Sequence, residues 1–216
     1  MCRRPDEPVG VIMVNDKPEP EQNRAEELFD LSEDQKNEIL CLAREAIKDR
    51  VTRFPETAAG GIDEGLLQPA AVFVTLWQDT GDGDDADNRR LRGCIGRLQP
   101  DYPLYLAVRN AAVSAATRDP RFPPVAPEEL DSLTIEVALL SPLEIVNDLH
   151  DIVIGRDGLV IEAYGRRGLL LPKVATRMGW GREEFLRNVC LKAGLPPDTW
   201  PAGGTLYKFS TTVFQE

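Results

Sequence analysis

Histidine is nearly missing from this chain: His150 is the single one in 216 residues. Its scarcity removes the usual ligands of a Cys/His zinc site and leaves any nucleophilic cysteine with one imidazole to serve as base. Cysteine is sparse as well. Cys2, Cys41, Cys94 and Cys190 lie far apart, so the chain holds neither a C-x-x-C metal or redox pair nor a disulfide framework. A chain of this length buries a core without such staples, and the reading is a cytoplasmic protein with reduced thiols and no resident metal. Long hydrophobic runs are wanting: Val9 to Val14 is too short for the core of a signal peptide and leads into acidic residues. Nothing approaches the roughly 20 apolar residues of a membrane-spanning helix, so no membrane partner is expected. Positive charge is in deficit, with a formal net charge of −11 and ten acids against four bases in residues 1–34. That balance repels phosphate backbones and sets nucleic acid aside as the principal partner.

What is present reads as alternating short elements. Residues 1–25 are polar and proline-punctuated, too poor in apolar side chains to offset the entropy of ordering, and form a flexible acidic leader. Ser32 and Gln35 make a capping box, and Ile39, Leu42, Ala43, Ala46 and Ile47 recur at helical spacing, which predicts a helix to about Arg50. Cys41 sits in it as a packing residue. Ala70 to Trp77 reads as a strand, and Gln78 to Asn88 as a loop whose acids lack the spacing and closing Glu of a calcium loop. A second helix runs from Pro103 to about Thr117 and stops at Asp119-Pro120. Leu133, Ile135, Val137 and Leu139 alternate as a strand with one buried face, which leaves Glu136 solvated on the other. Ile152 to Ile161 folds back at Gly155–Gly158, and Gly165–Gly168 makes a second turn before Leu169. Glu183 to Ala193 is helical and ends at Gly194, and Tyr207, Phe209, Thr211 and Val213 alternate as one closing strand. Without regular βαβ alternation the fold class is α+β, a mixed, largely antiparallel sheet with flanking helices.

Three segments concentrate chemistry. Leu91-Arg92-Gly93-Cys94-Ile95-Gly96 sets a thiol between two glycines and beside a guanidinium. Glycines at 93 and 96 allow a tight turn that brings a ligand against Cys94, and Arg92 favours the thiolate. The alternative is a small buried hydrophobe at a strand end. In Thr117 to Pro124 the prolines stiffen the backbone and fix the directions of Asp119, Arg121 and Phe122. Gly168 to Ala175 runs from a buried strand into a short helix, with Lys173 near a helix N-terminus of the kind that binds anions. The remaining cations, among them Arg89, Arg90, Arg166 and Arg167, read as a solvated face.

Together these segments closely resemble the AMMECR-one domain family, of the type of protein A in the prokaryotic AmmeMemoRadiSam system. The likeness covers Leu31 to Glu216. Leu91–Gly96 reproduces the family's hallmark run, and Asp119–Pro123, Leu171-Pro172, Val174-Ala175, Trp180, Phe185, Lys192–Leu195 and Tyr207–Phe209 follow its pattern. Asp157 stands where many members place His, and Lys173 where Gln is common. The resemblance implies one domain over residues 26–216 built from two interlocked subdomains, the larger from both chain ends and the smaller inserted, with a cleft near the hallmark run. Prokaryotic members stand beside, or are fused to, a Memo-like protein and a radical S-adenosylmethionine enzyme, which implies those partners and a small-molecule or modification pathway. It supplies no reaction and no cofactor.

Two functions follow. In the first, Cys94 is the catalytic nucleophile of a cysteine-dependent enzyme or enzyme-system subunit acting on a small anionic substrate. Arg92, Gly93, Gly96, Asp119, Arg121 and Phe122 are then its binding set, with backbone N–H groups as oxyanion donors. His150 is its one possible base. In the second, the same cleft is a non-catalytic binding module for a partner protein, a metabolite or RNA, with Phe122, Trp180 and Tyr207 as the rings that could stack on bases.

Overall fold

The Ser32 hydroxyl accepts the Gln35 N–H at 3.2 Å while the Gln35 side chain accepts the Ser32 N–H at 2.9 Å, and helix α1 (Glu33–Thr52) follows from this reciprocal cap. The computed structural model describes residues 31–53, 61–79 and 89–216; the leader expected over 1–25 lies outside them, as do residues 80–88 of the expected loop. One face of α1, with Ile39, Leu42, Ala43, Ala46 and Ile47, is buried. Helix α2 (Leu104–Thr117) buries Ala107, Val108, Ala111, Ala112 and Ala115, small residues that let it lie close to its neighbours. Cys41, expected to pack, is exposed, because it falls one position off the buried stripe.

Both helices cover one face of a four-stranded sheet ordered β2-β1-β3-β8, made of β1 (Ala71–Asp79), β2 (Arg89–Arg97), β3 (Leu133–Leu140) and β8 (Thr211–Gln215). A second sheet is ordered β4-β7-β5-β6, from β4 (Glu144–Ile145), β5 (Gly158–Ala163), β6 (Arg166–Leu170) and β7 (Thr205–Phe209). It packs against α3 (Pro172–Met178) and α4 (Arg182–Lys192), with Phe185, Leu186, Val189 and Cys190 in its core. Every strand pair given for the described residues is antiparallel, and the protein is α+β as its pattern predicts.

The strands are thus divided between two sheets. Where one closing strand was expected, the chain changes sheets at Ser210: β7 ends in the second and β8 begins in the first. Ser210 donates its N–H to Ser141 Oγ at 2.9 Å and accepts the Ser141 N–H at 3.0 Å, so the two crossings between sheets are tied together. Alternation alone does not reveal such a break, since both halves keep period two. The hairpin turns also shift. Residues 152–157 form no strand, and the β5–β6 turn is Tyr164-Gly165, with φ of 50° and 72°, so Arg166 to Gly168 belong to β6. Between the sheets Ala71, Leu140, Val160 and Phe209 make a third buried cluster, flanked by Phe73, Leu169, Leu171 and Tyr207.

Candidate functional site

Cys94 lies within strand β2 and not on a turn, opposite Thr75 of β1. Its glycine neighbours serve close packing instead of an unusual backbone. A Cβ on Gly93 would stand 2.3 Å from the Ala115 carbonyl oxygen of α2, and one on Gly96 would stand 2.3 Å from the Phe73 ring and the Val72 carbonyl. Neither glycine has positive φ. Between Gly93, opposite Leu76, and Leu91, opposite Trp77, Arg92 is the extra residue of a β-bulge. The bulge turns Arg92 away from the thiol: buried, it donates to Glu129 at 2.7 and 2.9 Å and to the carbonyls of Pro123 and Pro124 at 2.9 and 3.3 Å. The Arg92 guanidinium holds the Glu129 carboxyl below the usual carboxylate range. Arg92 thus clamps the proline-rich segment to the sheet and does not activate Cys94.

That segment carries Asp119 and Arg121 to the edge of β2. The Cys94 N–H donates to Asp119 Oδ2 at 2.9 Å, and Arg121 donates its backbone N–H, Nε and Nη2 to the same carboxylate at 3.1, 2.9 and 2.7 Å. Arg121 holds the buried Asp119 carboxyl far below its ordinary range. The backbone donor expected of an oxyanion hole is therefore occupied by an aspartate. Arg121 keeps about half of its side chain in solvent, with its guanidinium 5.3 Å over the Phe122 ring.

Thr75 and Trp77, passed over in the sequence, and Glu136 and Lys173, read there in other roles, complete the site. Cys94, Thr75 and Glu136 stand in one row across β2, β1 and β3, on the face turned from the helices. Thr75 Oγ1 donates to Cys94 Sγ at 3.2 Å. Glu136, expected in solvent, has only 13% of its side chain exposed; it accepts Trp77 Nε1 at 3.3 Å and pairs with Lys173, whose ammonium lies 5.3 Å over the Trp77 ring. Lys173 is thus turned to the sheet and not to an anion at its own helix. A threonine and a glutamate at in-register positions of two mainly apolar strands were the available signal, legible only once the register is known. Burial pushes the Cys94 thiol above its ordinary pKa; the Thr75 hydroxyl, Lys173 and Arg121 oppose this, and Glu136 adds to it. The sulfur itself is half-buried.

His150 does not join this group. It stands exposed beside Asp148, which accepts its ring nitrogen at 2.7 Å, in the turn before β5. Trp180 and Tyr207, the other rings named for stacking, are half-buried against the second core and the inter-sheet cluster. Among the described residues no three His, Cys, Asp or Glu side chains are placed to hold a metal ion, and no helix is long and apolar enough to cross a membrane.

The family model for AMMECR1 matches residues 40–214, from the middle of α1 to the end of β8. The chain belongs to the AMMECR1 family. It is 43% identical over 198 residues to a Methanothermobacter thermautotrophicus protein, covering 86% of this chain and 96% of that one. Against Protein TK0174 of Thermococcus kodakarensis it is 44% identical over 189 residues, covering 82% and 88%. The crystal structure of the uncharacterized protein PH0010 from Pyrococcus horikoshii is similar over 87% of this chain and 94% of that one, with a TM-score of 0.79 and 39% identity. Asp157 and Lys173, singled out in the sequence, play separate parts here. Asp157 is buried and accepts the Val153 N–H and the Arg156 guanidinium, bracing the loop before β5. Lys173 sits among the residues that surround Cys94.

Proposed function

We propose that this AMMECR1 protein is a recognition module for a small anionic ligand, bound on the sheet face where Cys94, Thr75, Trp77 and Glu136 form the floor and Lys173 and Arg121 supply cations. One observation carries the reading: Arg121 and Lys173 are held beside the Cys94 row by Asp119 and Glu136, while burial pushes the Cys94 thiol above its ordinary pKa. A neutral thiol is a poor nucleophile, and the Cys94 N–H is already taken by Asp119, so the arrangement favours holding a ligand over attacking one. Arg121 spends Nε and Nη2 on Asp119 and leaves its other edge toward solvent. Glu136 keeps Lys173 over the Trp77 ring. In this reading the module works as a subunit beside Memo-like and radical S-adenosylmethionine partners, which would supply the reaction.

Cysteine catalysis is the second reading, favoured by the Thr75 hydroxyl and the two cations, all of which pull the thiol pKa down. One pair of measurements separates the two. Titration with succinate, citrate and glycerol phosphate, followed at the Trp77 indole N–H by NMR, should give a saturable shift with at least one of them that Arg121→Gln and Lys173→Gln weaken about tenfold. No shift with any, or one that both variants leave intact, overturns the recognition reading. The rate of Cys94 alkylation by iodoacetamide against pH should give a pKa above that of a free thiol; a value below it would put cysteine catalysis first.

A further inference from the structure

On the other side of the same sheet, the C-terminal turn of α1 and the length of α2 enclose a groove of about 670 Å³ over the end of β2. Its walls carry Arg50, Arg53, Arg97, Arg109 and Arg118, with Asp49 as the one acid among the described lining residues. This concentration of positive charge stands out on a chain whose formal net charge is −11. Arg97 is matched by Asp101 at 2.7 Å and lies 5.5 Å over the Tyr102 ring. The guanidinium groups of Arg50, Arg53, Arg109 and Arg118 form no ion pair or hydrogen bond among the described residues.

Helix ends account for part of this. Arg50, Arg53 and Arg118 sit at the C-termini of α1 and α2, where the helix dipole favours cations. That account does not reach Arg109, which is half-buried in the middle of α2 with no ion pair among the described residues. Nor does it explain why the C-cap of α1 is an arginine with φ of 61°, a left-handed position that helices usually give to glycine. Arg109 lies within α2 and Arg118 at its C-cap, both lining the groove, and the small side chains of Ala46, Ala107 and Ala111 leave the depression between the helices. The floor is apolar, through Val72, Ile95 and Leu106, and Gln99, Asn110 and Ser114 add hydrogen-bonding groups.

From these features we infer that the groove binds an oligophosphate-bearing small molecule, of the class of nucleoside di- and triphosphates. Guanidinium forks match pairs of phosphate oxygens, and several forks around one cavity suit a chain of phosphates better than a single carboxylate. The volume is that of a small-molecule site, and the apolar floor takes the uncharged body of the ligand. The chain's formal net charge of −11 opposes a long polyanion more than a small ligand. The site is separate from the Cys94 face and does not depend on its assignment.

The test is calorimetric titration of the full chain at low and physiological salt with metal-free ATP, ADP, tripolyphosphate, inorganic phosphate and a single-stranded RNA 20-mer. ATP, ADP and tripolyphosphate should bind saturably and raise Tm, with the nucleotides tighter than the bare tripolyphosphate. Arg109→Gln and Arg118→Gln should each weaken ATP about ten- to a hundredfold. Arg118→Gln, at an exposed site, guards against a folding defect in the half-buried position. Arg187→Gln, which removes an exposed charge from α4, should leave binding unchanged. No binding of ATP or tripolyphosphate at low salt, equal loss with Arg187→Gln, binding of inorganic phosphate alone, or preference for RNA over ATP would each overturn the assignment.

Discussion

Four hydrogen bonds converge on the Asp119 carboxylate, one from the Cys94 N–H and three from Arg121. Removing its charge by Asp119→Asn should cost about 1.5–3 kcal/mol, the range for hydrogen bonds to a charged group, measured as the shift in urea midpoint at pH 7. Because the folded carboxyl is held far below its ordinary value, the unfolded chain binds the proton more readily. The contribution of Asp119 is therefore complete above about pH 4, the unfolded carboxyl's range, and is lost as pH falls toward the folded pKa. The variant's stability should accordingly fall less steeply than the wild type's below pH 4; parallel curves would contradict the assigned pairing. Sequence reading placed Asp119, Arg121 and Cys94 in one site, and they do meet. It placed Arg92 there too, and a bulge that no local pattern announces sends that side chain to Glu129.

At the scale of elements, α2 approaches β2 closely enough that the Gly93 position has no room for a methyl group. Gly93→Ala should destabilise the fold by about 1–3 kcal/mol through overpacking and displace β2 from α2. Amide exchange of α2 and β2 checks this: both should lose protection together, while α4 keeps its own. Unchanged protection would mean that the neighbours yield without cost. The composition of the hallmark run leaves open whether its glycines serve a turn or a tight crossing, because the absence of a Cβ satisfies both. The helices fared better. The capping box and spacing of α1, the proline start of α2 and the Gly194 stop after α4 are local features, and each boundary falls within a few residues of its expected place.

For the molecule as a whole, the cluster between the sheets is the only one of the three cores that draws on both, and Phe209 fills it against Gly158, where a Cβ would lie 2.4 Å from the ring. Phe209→Ala should cost about 3–5 kcal/mol and, by loosening the contact between sheets, turn a single calorimetric unfolding transition into two. A variant that still melts in one step would show that the crossings at Ser141 and Ser210 suffice to couple them. The sequence by itself determined the α+β class, the helices, the family and the segments that supply Cys94, Asp119 and Arg121, because caps, periodicity and short motifs are local properties of the chain. Only the tertiary structure decided that the last strand belongs to two sheets, that Thr75, Glu136 and Lys173 share a face with Cys94, and that five arginines from three elements line one groove. Those facts depend on register and on contacts between distant segments, which no stretch of sequence contains alone.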